Sequence, residues 1–197
     1  MQIVVNVEQA KALAKGKGRR RQKSKGKSEA EWLDQFMATP EMEPAEVAKV
    51  VRATAKAKKI ELTGGKVAFA IRLPLAPTVD HFMIPSKHNP RIWIYTAEAR
   101  AYKKAVETMW LRHCGGWPPD PVGGRLRVAV AVHFRRGGKA DIANREKAAS
   151  DALTGCGAWE DDSLIDALIV LRGTVVTRIG AMDVLVEVLG DEQKTLL

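Results

Sequence analysis

An α+β domain, a mixed β-sheet packed against helices, is the fold the sequence predicts, and three observations predict it. Segments of strand and helix character follow one another in the order strand, strand, helix, strand, helix, strand, strand, which calls for a sheet covered by helices. Within residues 125–134, Val128, Val130 and Val132 recur with the two-residue period that puts them on one face of a strand. The hydrophobic fraction is 46% over 197 residues, enough for a core, while residues 11–28 hold almost nothing to bury. The domain is therefore expected over residues 63–190, behind an N-terminal extension (1–60) and before a short tail (191–197).

Taken in order, Ile3, Val4, Val5 and Val7 form a small apolar patch, a short strand or a fragment of helix. Residues 11–28 consist of Lys, Arg, Gly, Ser and Gln with few apolar side chains, a composition that stays disordered until it meets a partner. Ser28 with Glu31 three residues on reads as a capping box for a helix through about Met37. Glu43-Pro44 opens a second helix, with Val47, Val50 and Val51 on one face. Whether these two helices pack on the domain or stand apart is open. Thr63-Gly64-Gly65 is a turn signal, and residues 66–73 read as a strand ended by Pro74. Residues 91–95 are a short strand with aromatic weight. Thr96 caps a helix over residues 97–113, whose Ala101, Ala105, Val106, Met109 and Trp110 make a core stripe. A helix follows over residues 142–153. Residues 166–176 and 181–189 read as a closing pair of strands joined by a turn near Gly180.

The charge is unevenly placed. Lys plus Arg number 32 and Asp plus Glu 23, a net charge of +9. Nine of the basic residues and no acidic one fall between Lys11 and Lys27, so the rest of the chain balances at 23 of each sign. A basic arm on a neutral body points to a polyanion, nucleic acid first. No stretch approaches the roughly 20 apolar residues of a membrane span. Cys114 and Cys156 are too few for a disulfide framework, and neither has a metal-ligand neighbour at close spacing. A reducing, cytoplasmic setting is the expectation.

The chemistry concentrates in residues 133–166. A strand runs into the loop Arg135-Arg136-Gly137-Gly138-Lys139, Asp141 opens a helix carrying Asn144, Lys147 and Asp151, and a glycine-containing turn leads to Trp159-Glu160-Asp161-Asp162. Carboxylates at the entry of a helix and at the turn after it, with cations beside them, suit a divalent cation held against a phosphate. Each residue alone has a plainer reading. Asp141 would cap its helix, Lys147 and Asp151 would be a surface i,i+4 pair, Asp161-Asp162 a polar turn, and His81 a solvated loop histidine.

Taken together, Asp141-x-x-Asn144-x-x-Lys147-Ala148-x-x-Asp151-Ala152-Leu153 and Gly157-x-Trp159-x-Asp161-Asp162 resemble the core of the RusA family of Holliday junction resolvases. The resemblance runs best over residues 135–175, more weakly over 67–110, and leaves the first 60 residues uncovered. It implies a RusA-like fold and a homodimer that cuts opposed strands of a four-way DNA junction, with Mg2+ or a substituting Mn2+. It implies Asp141, Lys147 and Asp162 as catalytic residues, and Asp141 and Asp162 as metal ligands with Asp161 as a third. Arg135, Arg136, Lys139, Asn144, Lys147 and His81 would meet nucleic acid, and Gly137-Gly138 would let the backbone approach a phosphate. Phages and prophages often encode such proteins.

One position departs. The family pattern Asp-x-Asp-Asn reads Asp141-Ile142-Ala143-Asn144 here, so the second carboxylate is missing. Side chains two apart in an extended chain share a side, which would line Asp141 and position 143 along one pocket. Three explanations stand: an engineered inactive form, a natural member that binds junctions without efficient cutting, or compensation by Glu160 or Asp161. The function expected is a Mg2+-dependent junction resolvase weakened at position 143. Its rivals are a non-catalytic junction-binding protein and a basic RNA-binding accessory protein.

Overall fold

The computed structural model describes residues 26–62, 64–135, 141–173 and 179–190. The apolar patch at residues 3–7, most of the basic arm, the turn after β5 and the C-terminal tail lie outside them.

Two helices lead. The first, α1 (Glu29–Met37), opens on the capping box: the Ser28 hydroxyl takes the Glu31 N–H, and Glu31 Oε2 accepts the Ser28 N–H at 2.7 Å. The second, α2 (Pro44–Ala57), starts on a proline whose missing N–H costs a first helical turn nothing. The strand β1 (Lys66–Pro74) follows, then a two-stranded ribbon of β2 (Met83–Pro85) and β3 (Trp93–Tyr95). Thr96 caps α3 (Ala97–His113) through the Ala99 N–H, 3.1 Å away. After β4 (Leu126–His133) come α4 (Ala143–Gly155), β5 (Ile165–Arg172) and β6 (Ala181–Val188).

The four long strands lie in the order β1-β6-β4-β5. β6 is antiparallel to both β1 and β4, and β4 is parallel to β5 through the crossover of α4, so the sheet is mixed. This corrects the expected closing pair. β6 does not pair with β5 but inserts between β1 and β4, where both its edges find hydrogen-bond partners.

Alternation along the strands divides the core. On the front face Phe69, Ile71 and Leu73, Val128, Val130 and Val132, and Met182, Val184 and Val186 meet α3, α4 and Phe36 of α1. On the back face Ala70, Ala129, Ala131 and Leu185 meet Val47, Ala48 and Val51 of α2. The leading helices therefore pack on the sheet rather than stand apart. Arg100 Nε on α3 holds Glu29 of α1 at 2.7 Å, and Arg52 Nη2 on α2 holds Glu187 of β6 at 2.8 Å.

Candidate active site

The polar cluster is built on α4 and the turn that follows it. Asp141 precedes the helix, and its Oδ1 accepts the Ala143 N–H at 3.0 Å. That bond closes an Asx turn. Ile142 is already helical, at φ −80 and ψ −35. The extended-chain argument for residues 141 and 143 does not hold here: Ala143 is the first residue of α4, so its side is set by the helix. Three- and four-residue spacing puts it on one face with Glu146 and Lys147.

Lys147 is exposed and pairs with Asp151 at 3.1 Å, one turn on. The Asp151 carboxylate, through its hydrogen bond and its charge, holds the Lys147 ammonium above its ordinary range, and Asp162 and Glu146 add to that. Asp162 sits in the turn after α4. Its Oδ1 accepts the Trp159 indole N–H at 3.1 Å and the Thr154 hydroxyl. The indole itself is buried in the front core, so the packing of one large aromatic fixes the position of this carboxylate. Asp161 is fully exposed; the Ser163 side chain first, and then the Ser163 N–H that its Oδ1 accepts at 2.8 Å, hold its carboxyl below the usual range.

Lys147, Asp151 and Asp162 thus share one patch. Asp141 does not reach it by the same route. Asp162 is bonded to Thr154, near the end of α4, and Asp141 to Ala143 at its start; the helix rises about 16 Å between those two residues. Asn144 is half-buried on the first turn of α4. His81 lies in a 3-10 turn (Val79–His81) that packs against α4, with its Nδ1 3.3 Å from the Thr78 hydroxyl. Arg145 on α4 ties this loop down by donating to the Ala76 carbonyl. Arg135 is exposed at the end of β4. Arg136 and Lys139 lie outside the described residues, as do Gly137 and Gly138. Glu160 is exposed.

Sequence reasoning passed over Glu146. It is only 9% exposed, and its Oε1 accepts the Ser150 hydroxyl at 2.5 Å. Burial pushes its carboxyl up, the nearby Asp162 and Asp151 charges push the same way, and Ser150 and Lys147 oppose them. Its sequence neighbours, Arg145 and Lys147, are charged and give no sign of this burial; only its place one helical turn after position 143 marks it.

On the back face of the sheet, at the end of β4, lies a second polar group. Arg72 Nε and Nη2 grip Asp183 in a two-pronged bond at 2.6 and 2.7 Å, and His133 Nε2 meets the same carboxylate at 2.9 Å. Asp183 and His133 are fully buried. Gly173 packs so closely that a β-carbon there would lie 2.2 Å from the imidazole.

Asp141 and Asp162 offer the hard oxygens a small divalent cation prefers. In number they fall short: among the described residues no group of three or more His, Cys, Asp or Glu gathers to hold a metal. The donor set therefore fits such an ion in chemistry and only in part in placement.

A mixed sheet with a parallel β4-α4-β5 unit, carrying carboxylates and a lysine along α4, defines a candidate nuclease. Residues 74–184, more than half of the chain, match the family described as Endodeoxyribonuclease RusA, and the chain belongs to that family. It is 28% identical over 127 residues to the Crossover junction endodeoxyribonuclease RusA of Escherichia coli O139:H28 (strain E24377A / ETEC), a match covering 63% of this chain and 98% of that protein. The family match, which begins at residue 74, leaves out α1 and α2. No helix among the described residues is long and apolar enough to cross a membrane.

Proposed function

We propose that this chain is a Holliday junction resolvase that binds four-way DNA junctions well and cuts them poorly. The observation that carries the reading is the family spacing from Asp141 to Asp162, intact except at position 143, laid along α4. Lys147 neutralises the charge that grows on a phosphate as it is attacked. Asp162 is held by a buried indole and keeps Oδ2 without a hydrogen-bond donor among the described residues. Mg2+, or Mn2+ in its place, would be held by Asp141 and Asp162 with Asp161 beside them, and would supply an activated water and charge relief. The carboxylate absent at position 143 lowers the pull of that site on a cation.

Arg135, Arg136, Lys139, Asn144 and His81 flank α4 or precede it and would take the phosphates on either side. The arm between Lys11 and Lys27 adds affinity without selectivity, through counterion release. A two-fold homodimer would match the symmetry of a four-way junction and place two sites on opposed strands. The setting is the cytoplasm, with a phage or prophage as a fitting source.

The test is cleavage of a labelled four-way junction across a Mg2+ and Mn2+ titration, by the chain as it stands and by Ala143→Asp. The unmodified chain should bind the junction in preference to linear duplex and cut it slowly. Ala143→Asp should cut on the order of 100-fold faster. Full activity without the substitution would show that another group, Glu146, Glu160 or Asp161, already fills the role. Junction binding with no cutting by either form would leave the second reading, a junction-binding protein whose site has decayed.

A further inference from the structure

The ribbon of β2 and β3 is tied to the body at its root, where Tyr95 meets the buried Phe82, and no residue placed in the active site uses it. Between Met83 and Tyr95 every residue but Met83 and Ser86 is exposed. Ile84 is 45%, Ile92 55%, Trp93 58% and Ile94 42% exposed. The two faces are both apolar: Ile84 opposes Ile94 on one, and Pro85 opposes Trp93 on the other. A two-stranded ribbon is marginal by itself, and uncovered apolar surface on such an element marks a place where something docks.

Charge selects the occupant. Residues 83–95 contain Lys87, His88 and Arg91 and no acidic residue. Lys87 and Arg91 form no ion pair among the described residues. At the root of the ribbon Lys103 Nζ sits 4.6 Å over the Tyr95 ring. A second copy docked here by two-fold symmetry would set the same cations against each other. A polyanion with exposed aromatic faces would satisfy both features at once. The ribbon is also continuous with the active site: the turn at residues 79–81 touches β2 on one side and α4 on the other.

We propose that the β2-β3 ribbon is the element that reads the branch point, with Trp93 stacking on a base at the crossover and Lys87 and Arg91 on the phosphates beside it. Opening a continuous duplex for an apolar wedge costs unstacking at each step. At a branch point stacking is already interrupted, and the penalty is smallest where a base is already unpaired or unstacked. The same ribbon therefore favours junctions over linear DNA without reading sequence. This rests on the junction-binding function proposed above.

The experiment measures binding of the full chain, Trp93→Ala and Trp93→Phe to a four-way junction and to a linear duplex of the same sequence. The junction carries 2-aminopurine at the crossover, and the molecular mass of each protein is followed by sedimentation. Trp93→Ala should bind the junction about 5- to 100-fold more weakly, the range of one lost base stack, with duplex binding unchanged. It should also abolish the 2-aminopurine response, and Trp93→Phe should restore most of both. Equal losses on junction and duplex, or retained junction preference in Trp93→Ala, would overturn the proposal while leaving the junction reading intact. A fall in molecular mass in Trp93→Ala would overturn it in favour of a surface between copies. An unmodified chain with no preference for the junction would sink the underlying function, and this role with it.

Discussion

The two faces of the sheet are covered in different ways. The front is closed by three helices over a continuous apolar layer from Phe69 to Val186, and α4 turns its polar side away from that layer toward the candidate site. The back is closed by α2 over only a handful of small residues. Beside that patch, buried charge fills the face: Asp183 between Arg72 and His133, and Glu187 between Arg52 and Arg127, whose Nη2 reaches Glu187 Oε2 at 2.6 Å. The front carries the candidate site at its margin, where Lys147 is open to solvent. On the back, Asp183 and Glu187 are fully buried and each is held by two cationic partners. Substitutions on the two faces should therefore separate stability from activity.

The largest effect is expected at Asp183. Replacing it with Ala removes the buried carboxylate that Arg72 and His133 share, a change that costs about 3–5 kcal/mol, measured by urea unfolding. Burial alone would raise the Asp183 carboxyl; the Arg72 and His133 hydrogen bonds outweigh it and hold the group below its ordinary value of 3.8. A depressed carboxylate adds stability that is fully present above the unfolded value and is lost as pH falls through the folded one. Stability of the unmodified chain should therefore drop below about pH 4, and that share of the loss should vanish in Asp183→Asn. An acid limb of the same steepness in both proteins would mean that other carboxylates govern acid unfolding.

A smaller loss is expected where α2 meets the sheet. Val51 is fully buried against the back face, and Val51→Ala should cost about 2 kcal/mol, with junction affinity per folded molecule unchanged. An unaltered melting temperature would show that α2 adds little to the fold, although among the described residues no other helix covers that sheet face.

What was legible in the sequence was local. The Ser28-Glu31 box, the Thr96 cap and the single-face alternation of Val128, Val130 and Val132 each depend on neighbours a few residues away, and each appears where its pattern puts it. What was not legible depended on distant partners. The insertion of β6 between β1 and β4 follows from edge pairing between residues 48 to 122 positions apart in the chain, which no short pattern encodes. β2, three residues long, is too short to show a period. In the site, the α4 spacing was legible, but the entry into the helix was not. Ile142 turns the chain one residue earlier than an extended reading allows, and that single helical residue separates the direction of Ala143 from that of Asp141. Glu146 was hidden for the opposite reason: a charged residue at a helical position reads as surface, and only the packing of α4 buries it.

The smallest structural effect, and the sharpest contrast with Asp183, is expected at Lys147. Its ammonium is largely exposed, with 64% of the side chain open to solvent, and its bond to Asp151 is an ordinary i,i+4 pair. Such pairs contribute about 0.3–0.5 kcal/mol, and alanine is a better helix former than lysine by a small margin. Lys147→Ala should therefore unfold within about 0.5 kcal/mol of the unmodified chain. If the lysine faces the phosphate under attack, the same substitution in the Ala143→Asp background should slow cleavage on the order of 100-fold while leaving junction affinity nearly unchanged. Cleavage is measured in that background because the proposed slow cutting by the unmodified site would leave little rate for a further loss to be read. Lys147→Arg keeps the charge but not the compact ammonium, and should recover part of the rate. A large drop in stability with cleavage per folded molecule preserved would return Lys147 to the role of a surface partner for Asp151. It would then leave Asp162 and Glu146 as the groups on α4 and its following turn with a claim on the chemistry.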